Sequence, residues 1–199
     1  KYSSDEIRKG DVFLTNDPYV GGGSHLPDLT VTSPVFMGDR LVAFVSCLAH
    51  HSDIGGKVAG SESADCTSIF QEGLRLPPVR LMDDKGIKQD IVDFILLNSR
   101  TPHHRDGDIK AQLASNLLGV RRIQELFNKF GIDKTQAGIE GMLDYAEART
   151  REEINNLPDG VYENEDFIDH DGVEQRNASL KVAVTIDGNN ILFDFSGSE

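Results

Sequence analysis

Two short segments hold the residue types from which a metal centre is built. "SHLPD" contains His25 and Asp28, and "HHSD" contains His50, His51 and Asp53. Imidazole nitrogens together with carboxylate oxygens are the donor set for Zn²⁺, Mn²⁺ or Fe²⁺. Zinc sits about 2.0–2.2 Å from such atoms, and a bound divalent ion brings the pKa of its water down to about 7. Pro27 disfavours the α conformation at Leu26, so His25 and Asp28 belong to a fixed turn and not to a helix. The same side chains also suit a hydrogen-bonded structural cluster, and residue types alone leave both readings open. His50 and His51 point to opposite faces if a strand reaches them, which leaves one of the two as a ligand.

The elements that must position these groups are legible on either side. Residues 11–15 ("DVFLT") predict a short strand. Residues 29–36 alternate and are β-branched, which predicts another, with Pro34 marking an edge position or a bulge. Gly38 and Asp39 form the centre of a tight turn, and residues 41–48 predict the returning strand. With Met37 facing Arg40, Asp28 falls opposite Ala49 and His25 opposite Ser52. The two segments therefore meet at the open end of one hairpin, and a bulge at Pro34 would shift the register by one residue without separating them. Gly21, Gly22 and Gly23, with Gly55 and Gly56, are expected to let backbone approach a ligand and present N–H groups to it. The Gly- and Ser-rich loop after His50 is long enough to suggest function.

Further along, residues 91–98 predict a short helix. Residues 108–130 predict a long one, with Ile109, Leu113, Leu117, Val120, Ile123, Leu126 and Phe130 at helical spacing. Asp106 or Asp108 is expected to cap its start and Gly131 to end it. Another helix is expected over 135–156. From Val161 the chain turns β again, with "SLKVAVTI" and "NILFDF" around "DGN" as a hairpin. The expected class is α+β: a β-rich part with a hairpin-end metal site (1–90), an inserted helical pair (91–157), and further β hairpins (158–199). The chain starts with Lys1 and stops just after a strand, so it is expected to be a fragment of a larger subunit.

Other polar groups have ordinary readings beside functional ones. Glu72 is a candidate acid/base, with an ion pair to Arg75 as the favoured alternative. Asp108, Gln112 and Asn116 form a stripe that reads as a solvated face or as a cleft lining. His103 and His104 read as a polar surface loop, and His170 as an exposed turn. There is no Gly-Lys-Ser/Thr phosphate loop and no G-x-S-x-G elbow. The 199 residues carry a formal net charge of −13, which argues against nucleic acid and anionic membrane surfaces as partners. The longest apolar run, near residues 41–49, is too short to span a bilayer. Cys47 and Cys66 lack CxxC spacing, so a reduced, cytoplasmic setting is expected.

The longer motifs add a resemblance. "GDVFLTNDPYVGGGSHLPDLTVTSPVF", "AHHSDIGG", "IFQEGLRLPPVRL", "RTPHHRDGDIKAQLASN" and "LPDGVY" look like the hydantoinase B family over nearly the whole chain. That family includes the B subunit of ATP-dependent N-methylhydantoinase, the C-terminal half of 5-oxoprolinase, and a large subunit of acetone and acetophenone carboxylases. The resemblance implies a hydantoinase A-type partner subunit that binds ATP, and a divalent metal (Zn or Mn, or Fe) on this chain. The family's H-x-x-D maps to His25 and Asp28, and its HHxD to His50, His51 and Asp53. The implied reaction is hydrolysis of a cyclic amide of the hydantoin or 5-oxoproline type, with Asp53 or Glu72 moving protons. The alternatives are ketone carboxylation and a non-enzymatic β-rich scaffold. The loop "GKVAGSESADCTS" departs from the Pro-, Met- or Thr-rich version of many relatives, which leaves the substrate open.

Overall fold

Alternating apolar residues from Val12 onward build the first sheet of the computed structural model, which describes every residue except Gly22, Asp171 and Gln175. Strands β1 (Val12–Thr15), β2 (Asp28–Met37), β3 (Arg40–His50), β4 (Val79–Asp83) and β5 (Gly86–Ile87) lie in the order β3-β2-β1-β4-β5. Every neighbouring pair is antiparallel. Helix α1 (Gln89–Leu97) and helix α2 (Pro102–Phe130) follow. Val12, Leu14, Leu29, Val31 and Leu81 from the sheet meet Val92 and Ile95 of α1 and Ile109 and Leu113 of α2 in one buried cluster. Each such side chain contributes about 1.5–3 kcal/mol when fully buried.

The β2–β3 hairpin starts in the expected register, Met37 to Arg40 and Phe36 to Leu41, and then slips. Val35 faces Ala43, so Val42 is an extra residue on β3 and Asp28 ends opposite His50 instead of Ala49. The slip lies between Val35 and Phe36, beside Pro34, and β2 is an interior strand, not an edge.

Helix α2 starts earlier than its apolar pattern implies. Pro102 occupies the first turn, where its missing N–H costs nothing, and Thr101 is the N-cap. His103 and His104 therefore sit on the first helical turn, exposed, and not in a loop. Asp106 pairs with Lys110 at 2.6 Å and Asp108 with Arg105 at 2.6 Å, so neither caps the helix. Gly131 follows its last residue, as the sequence implies. The polar stripe divides: Asp108 is solvated as expected, whereas Gln112 and Asn116 are buried against the sheet and line no cleft. Gln112 donates to Leu29 O at 2.9 Å, and Asn116 donates to Val31 O at 2.8 Å and to Ser33 Oγ at 3.2 Å.

The chain divides into two compact units, Lys1–Ile132 and Asp133–Glu199, because α2 packs on β2 and β3. The second unit contains most of helix α3 (Ile132–Asn155) and a three-stranded antiparallel sheet of β6 (Gly160–Ile168), β7 (Ala178–Asp187) and β8 (Asn190–Asp194). The β7–β8 hairpin closes with Asp187 opposite Asn190, at the expected "DGN" turn. Within this unit Arg151 on α3 bonds Glu147 at 2.8 Å and reaches Asn190 Oδ1 at 3.1 Å.

One side chain ties three segments of the first unit together. Asn16, 1% exposed, donates to Leu26 O at 2.7 Å and Leu74 O at 2.9 Å, and accepts from Leu76 N at 2.7 Å. Asn16→Ala leaves those groups without partners, at roughly 1–3 kcal/mol for each one that water does not reach. A chemical-denaturation curve should show a large loss of stability, and a midpoint equal to that of the parent would refute the assignment.

Candidate functional site

The register slip puts Asp28 and His50 on the same face, because a one-residue shift exchanges the two faces of a strand. His25 comes from the turn before β2. Its Nε2 lies 3.1 Å from Asp28 Oδ1, and its ring centroid lies 5.0 Å from that of His50. One donor atom from each of His25, Asp28 and His50 falls within 4.8 Å of the others. Their side chains are 34%, 14% and 47% exposed, so the group opens to solvent. Asp28 also accepts from Ser24 Oγ at 3.4 Å.

His51 takes the other face. Its backbone N–H donates to Pro27 O at 2.8 Å, and the ring is fully buried. Gln112 uses its amide N–H toward Leu29, so its Oε1 accepts from His51 Nε2–H at 2.8 Å. Burial, the largest influence, pushes the His51 pKa down, outweighing the Gln112 bond that pulls it up. The ring is thus held neutral behind the sheet, apart from the His25–Asp28–His50 group.

Asp53 is engaged elsewhere too. Its Oδ1 accepts from Gly55 N at 3.1 Å and Arg100 N at 3.0 Å, and its Oδ2 from Gly60 N and the Arg100 guanidinium, both at 3.0 Å. Burial pushes its pKa up, but the hydrogen bonds from Arg100, Gly60 and Gly55 win and bring it from 3.8 to about 2. Such a carboxylate is a weak base with both oxygens occupied. Sequence reasoning brought five side chains together at this end of the hairpin; the structure groups His25, Asp28 and His50, and gives His51 and Asp53 partners of their own.

Glu72 and Arg75 do not pair. Arg75 reaches Asp17 Oδ2 at 2.6 Å, while Glu72 lines a cleft of about 390 Å³ with His25, Pro27, Ser61, Glu62 and Cys66. Gly21, Gly23, Gly55 and Gly56 approach the chain itself, and Gly55 and Gly56 also line a second cleft. A Cβ on Gly21 would lie 2.1 Å from Thr15 Oγ1, and one on Gly56 (φ +84°) would lie 2.7 Å from the Gln71 and Glu72 backbone. Gly56 thereby lets loop 53–61 press against the segment that carries Glu72. Gly22 lies outside the described residues. Sequence reasoning missed Glu62, whose Oε1 lies 3.2 Å from His50 Nε2, and Arg100, which holds Asp53. The length of the loop after His50 was the one hint at Glu62, and nothing local pointed to Arg100.

Cys47 and Cys66 are free, and among the described residues no helix is long and apolar enough to cross a membrane. A family model described as Hydantoinase B/oxoprolinase matches residues 1–199. The crystal structure of ATP-dependent caprolactamase from Pseudomonas jessenii matches with a TM-score of 0.85 and 33% identity, over 95% of this chain and 32% of that one. A 5-oxoprolinase from Dictyostelium discoideum is 34% identical over 198 residues, 96% of this chain and 15% of its own length. The acetophenone carboxylase delta subunit of Aromatoleum aromaticum is 36% identical over 172 residues, 86% of this chain and 25% of its own. The chain spans 34% of the length of each of the first two curated relatives that it matches.

Two outcomes are expected. The depressed pKa of Asp53 makes its contribution to stability fully present above about pH 4 and lost as pH falls toward 2. Acid unfolding followed by circular dichroism should be shallower over that range in Asp53→Asn. His51→Ala should lower the melting temperature, since it leaves Gln112 Oε1 buried without a donor at roughly 1–3 kcal/mol. His50→Ala should melt like the parent.

Proposed function

We propose a function from one premise: the chain belongs to the hydantoinase B/oxoprolinase family. It is part of the B-type subunit of an ATP-dependent cyclic amide hydrolase, acting on a ring of the hydantoin or 5-oxoproline type. ATP is bound by a hydantoinase A-type partner, since this sequence has no Gly-Lys-Ser/Thr loop to hold phosphate. The observation that carries this reading is the His25–Asp28–His50 group, open to solvent beside a cleft lined by two further carboxylates, Glu62 and Glu72.

The donor set suits a divalent ion. Nitrogen and oxygen atoms lie within 4.8 Å of one another, and none is spent on a guanidinium as Asp53 is. His25, Asp28 and His50 would hold Zn²⁺ or Mn²⁺, with Fe²⁺ also compatible. Such an ion, when bound, supplies polarisation of a carbonyl and acidification of water. Glu72 is the proton carrier, taking a proton from water and returning it to the ring nitrogen as the amide C–N bond breaks. Pro27, Ser61, Ser63, Ala64 and Cys66 complete the wall of the cleft that would receive the ring. A ketone carboxylase is the second reading, supported by the 36% identity to the acetophenone carboxylase delta subunit.

The test uses the intact protein with its A-type partner. ATP is supplied with 5-oxoproline, hydantoin or caprolactam, and separately with acetone or acetophenone plus bicarbonate. Ring-opened product and phosphate are measured, together with metal content. Ring opening is expected, with about one ion per chain. His25→Ala and Asp28→Asn should lose both ion and turnover and still melt normally. Carboxylated ketone without ring opening would replace the first reading by the second, and full activity in ion-free protein would overturn the role given to the histidines. ATP turnover by the B-type subunit alone would refute the division of labour.

A further inference from the structure

We infer that Glu62 is the positioning carboxylate of this centre, holding the His50 imidazole by the nitrogen that faces away from an ion. The inference rests on the reading of His25, Asp28 and His50 as ion ligands. Glu62 Oε1 lies 3.2 Å from His50 Nε2 and 3.4 Å from His25 Nδ1. Asp28 occupies the other side of His25, 3.1 Å from Nε2. An ionised carboxylate only accepts hydrogen bonds. Glu62 therefore draws the His50 ring hydrogen to Nε2, at 3.2 Å, and stands beside His25 as a charge rather than as a hydrogen-bond partner. The lone pair that remains on His50 Nδ1 joins His25 and Asp28 as the donors to an ion. A histidine ligand ordinarily gives its second N–H to a carboxylate or carbonyl, which fixes its tautomer and ring orientation.

The loop that bears Glu62 is built to deliver it. Ser61 is buried and takes φ +60°, a left-handed conformation uncommon for any residue but glycine. Its Oγ accepts from Ile54 N at 2.8 Å and donates to Gly55 O at 2.7 Å. The Arg100 guanidinium binds Asp53 together with the carbonyls of Gly55, Gly56 and Val58 at 3.2, 2.5 and 2.9 Å. The loop is thus fastened up to residue 61. The next side chain, Glu62, is 61% exposed, and its ion-pair contacts are the two histidines. Asp53 acts on the centre through this clamp and not as a ligand.

The experiment compares wild type, Glu62→Ala, Glu62→Gln and His25→Ala in the intact protein, titrating Zn²⁺ and Mn²⁺ separately by calorimetry and melting each ion-free protein. Glu62→Ala is expected to weaken ion binding roughly 10–100-fold with no change in the ion-free melting temperature. Glu62→Gln is expected to recover part of that loss, because its amide oxygen accepts the same His50 hydrogen without the charge. If His25→Ala loses the ion while Glu62→Ala binds within twofold of wild type, this inference fails and the ligand assignment stands. If His25→Ala binds as wild type does, the ligand assignment itself fails. Equal loss of affinity in both Glu62 variants, with a lowered ion-free melt, would make Glu62 a structural part of the loop and overturn its positioning role.

Discussion

Between Phe36 and Val35 the β2–β3 ladder slips by one residue, and the extra residue, Val42, decides which histidine meets Asp28. In the unshifted register Ala49 would stand opposite Asp28, and the donor atoms would lie on different faces of the sheet. With the slip, His50 joins Asp28, and His51 turns to the side where α2 lies. At about 3.3 Å per strand residue the slip is far outside any contact with the three side chains, yet their grouping depends on it. Substitutions near Val42 are felt at the site only through register.

The side of the sheet behind the cluster is crossed by hydrogen bonds from polar side chains of α2. Gln112 bonds Leu29 and His51, and Asn116 bonds Val31 and Ser33, so α2 reads the backbone of β2 as well as packing on its aliphatic side chains. Buried amides of this kind are costly unless paired, and paired they admit one position of helix against strand. Asn16 joins the end of β1 to the turn before Asp28 and to the segment after Glu72. His25 and Glu72 are thereby spaced by a side chain that touches neither.

Much of this was legible in the sequence. Alternation marked β2 and β3, and the Gly38–Asp39 turn brought "SHLPD" to "HHSD". The slip was half-legible, because Pro34 flagged an irregularity but the extra residue sits on the partner strand. The early start of α2 was hidden by a polar run, "RTPHHRDGD", whose one clear signal was Pro102 at a position where helices accept proline. Gln112 and Asn116 looked like surface because a polar stripe on a helix carries no mark of what covers it. The Arg75–Asp17 and Arg100–Asp53 pairs join residues far apart in sequence, and no local pattern predicts such partners. Glu62 has no signature of its own, since its placement comes from the Ser61 conformation and the Arg100 clamp.

The clamp has a consequence for how the molecule comes apart. Every fastening of loop 53–61 that involves Arg100 spans more than forty residues of chain. Arg100 itself sits in the link between α1 and α2, so the loop cannot hold its form when that link melts. The hairpin that carries His50 is local in sequence, whereas the loop above it is tied to the helix junction. Opening of the cleft wall and fraying of the α1–α2 junction are therefore one cooperative event, with a single free energy.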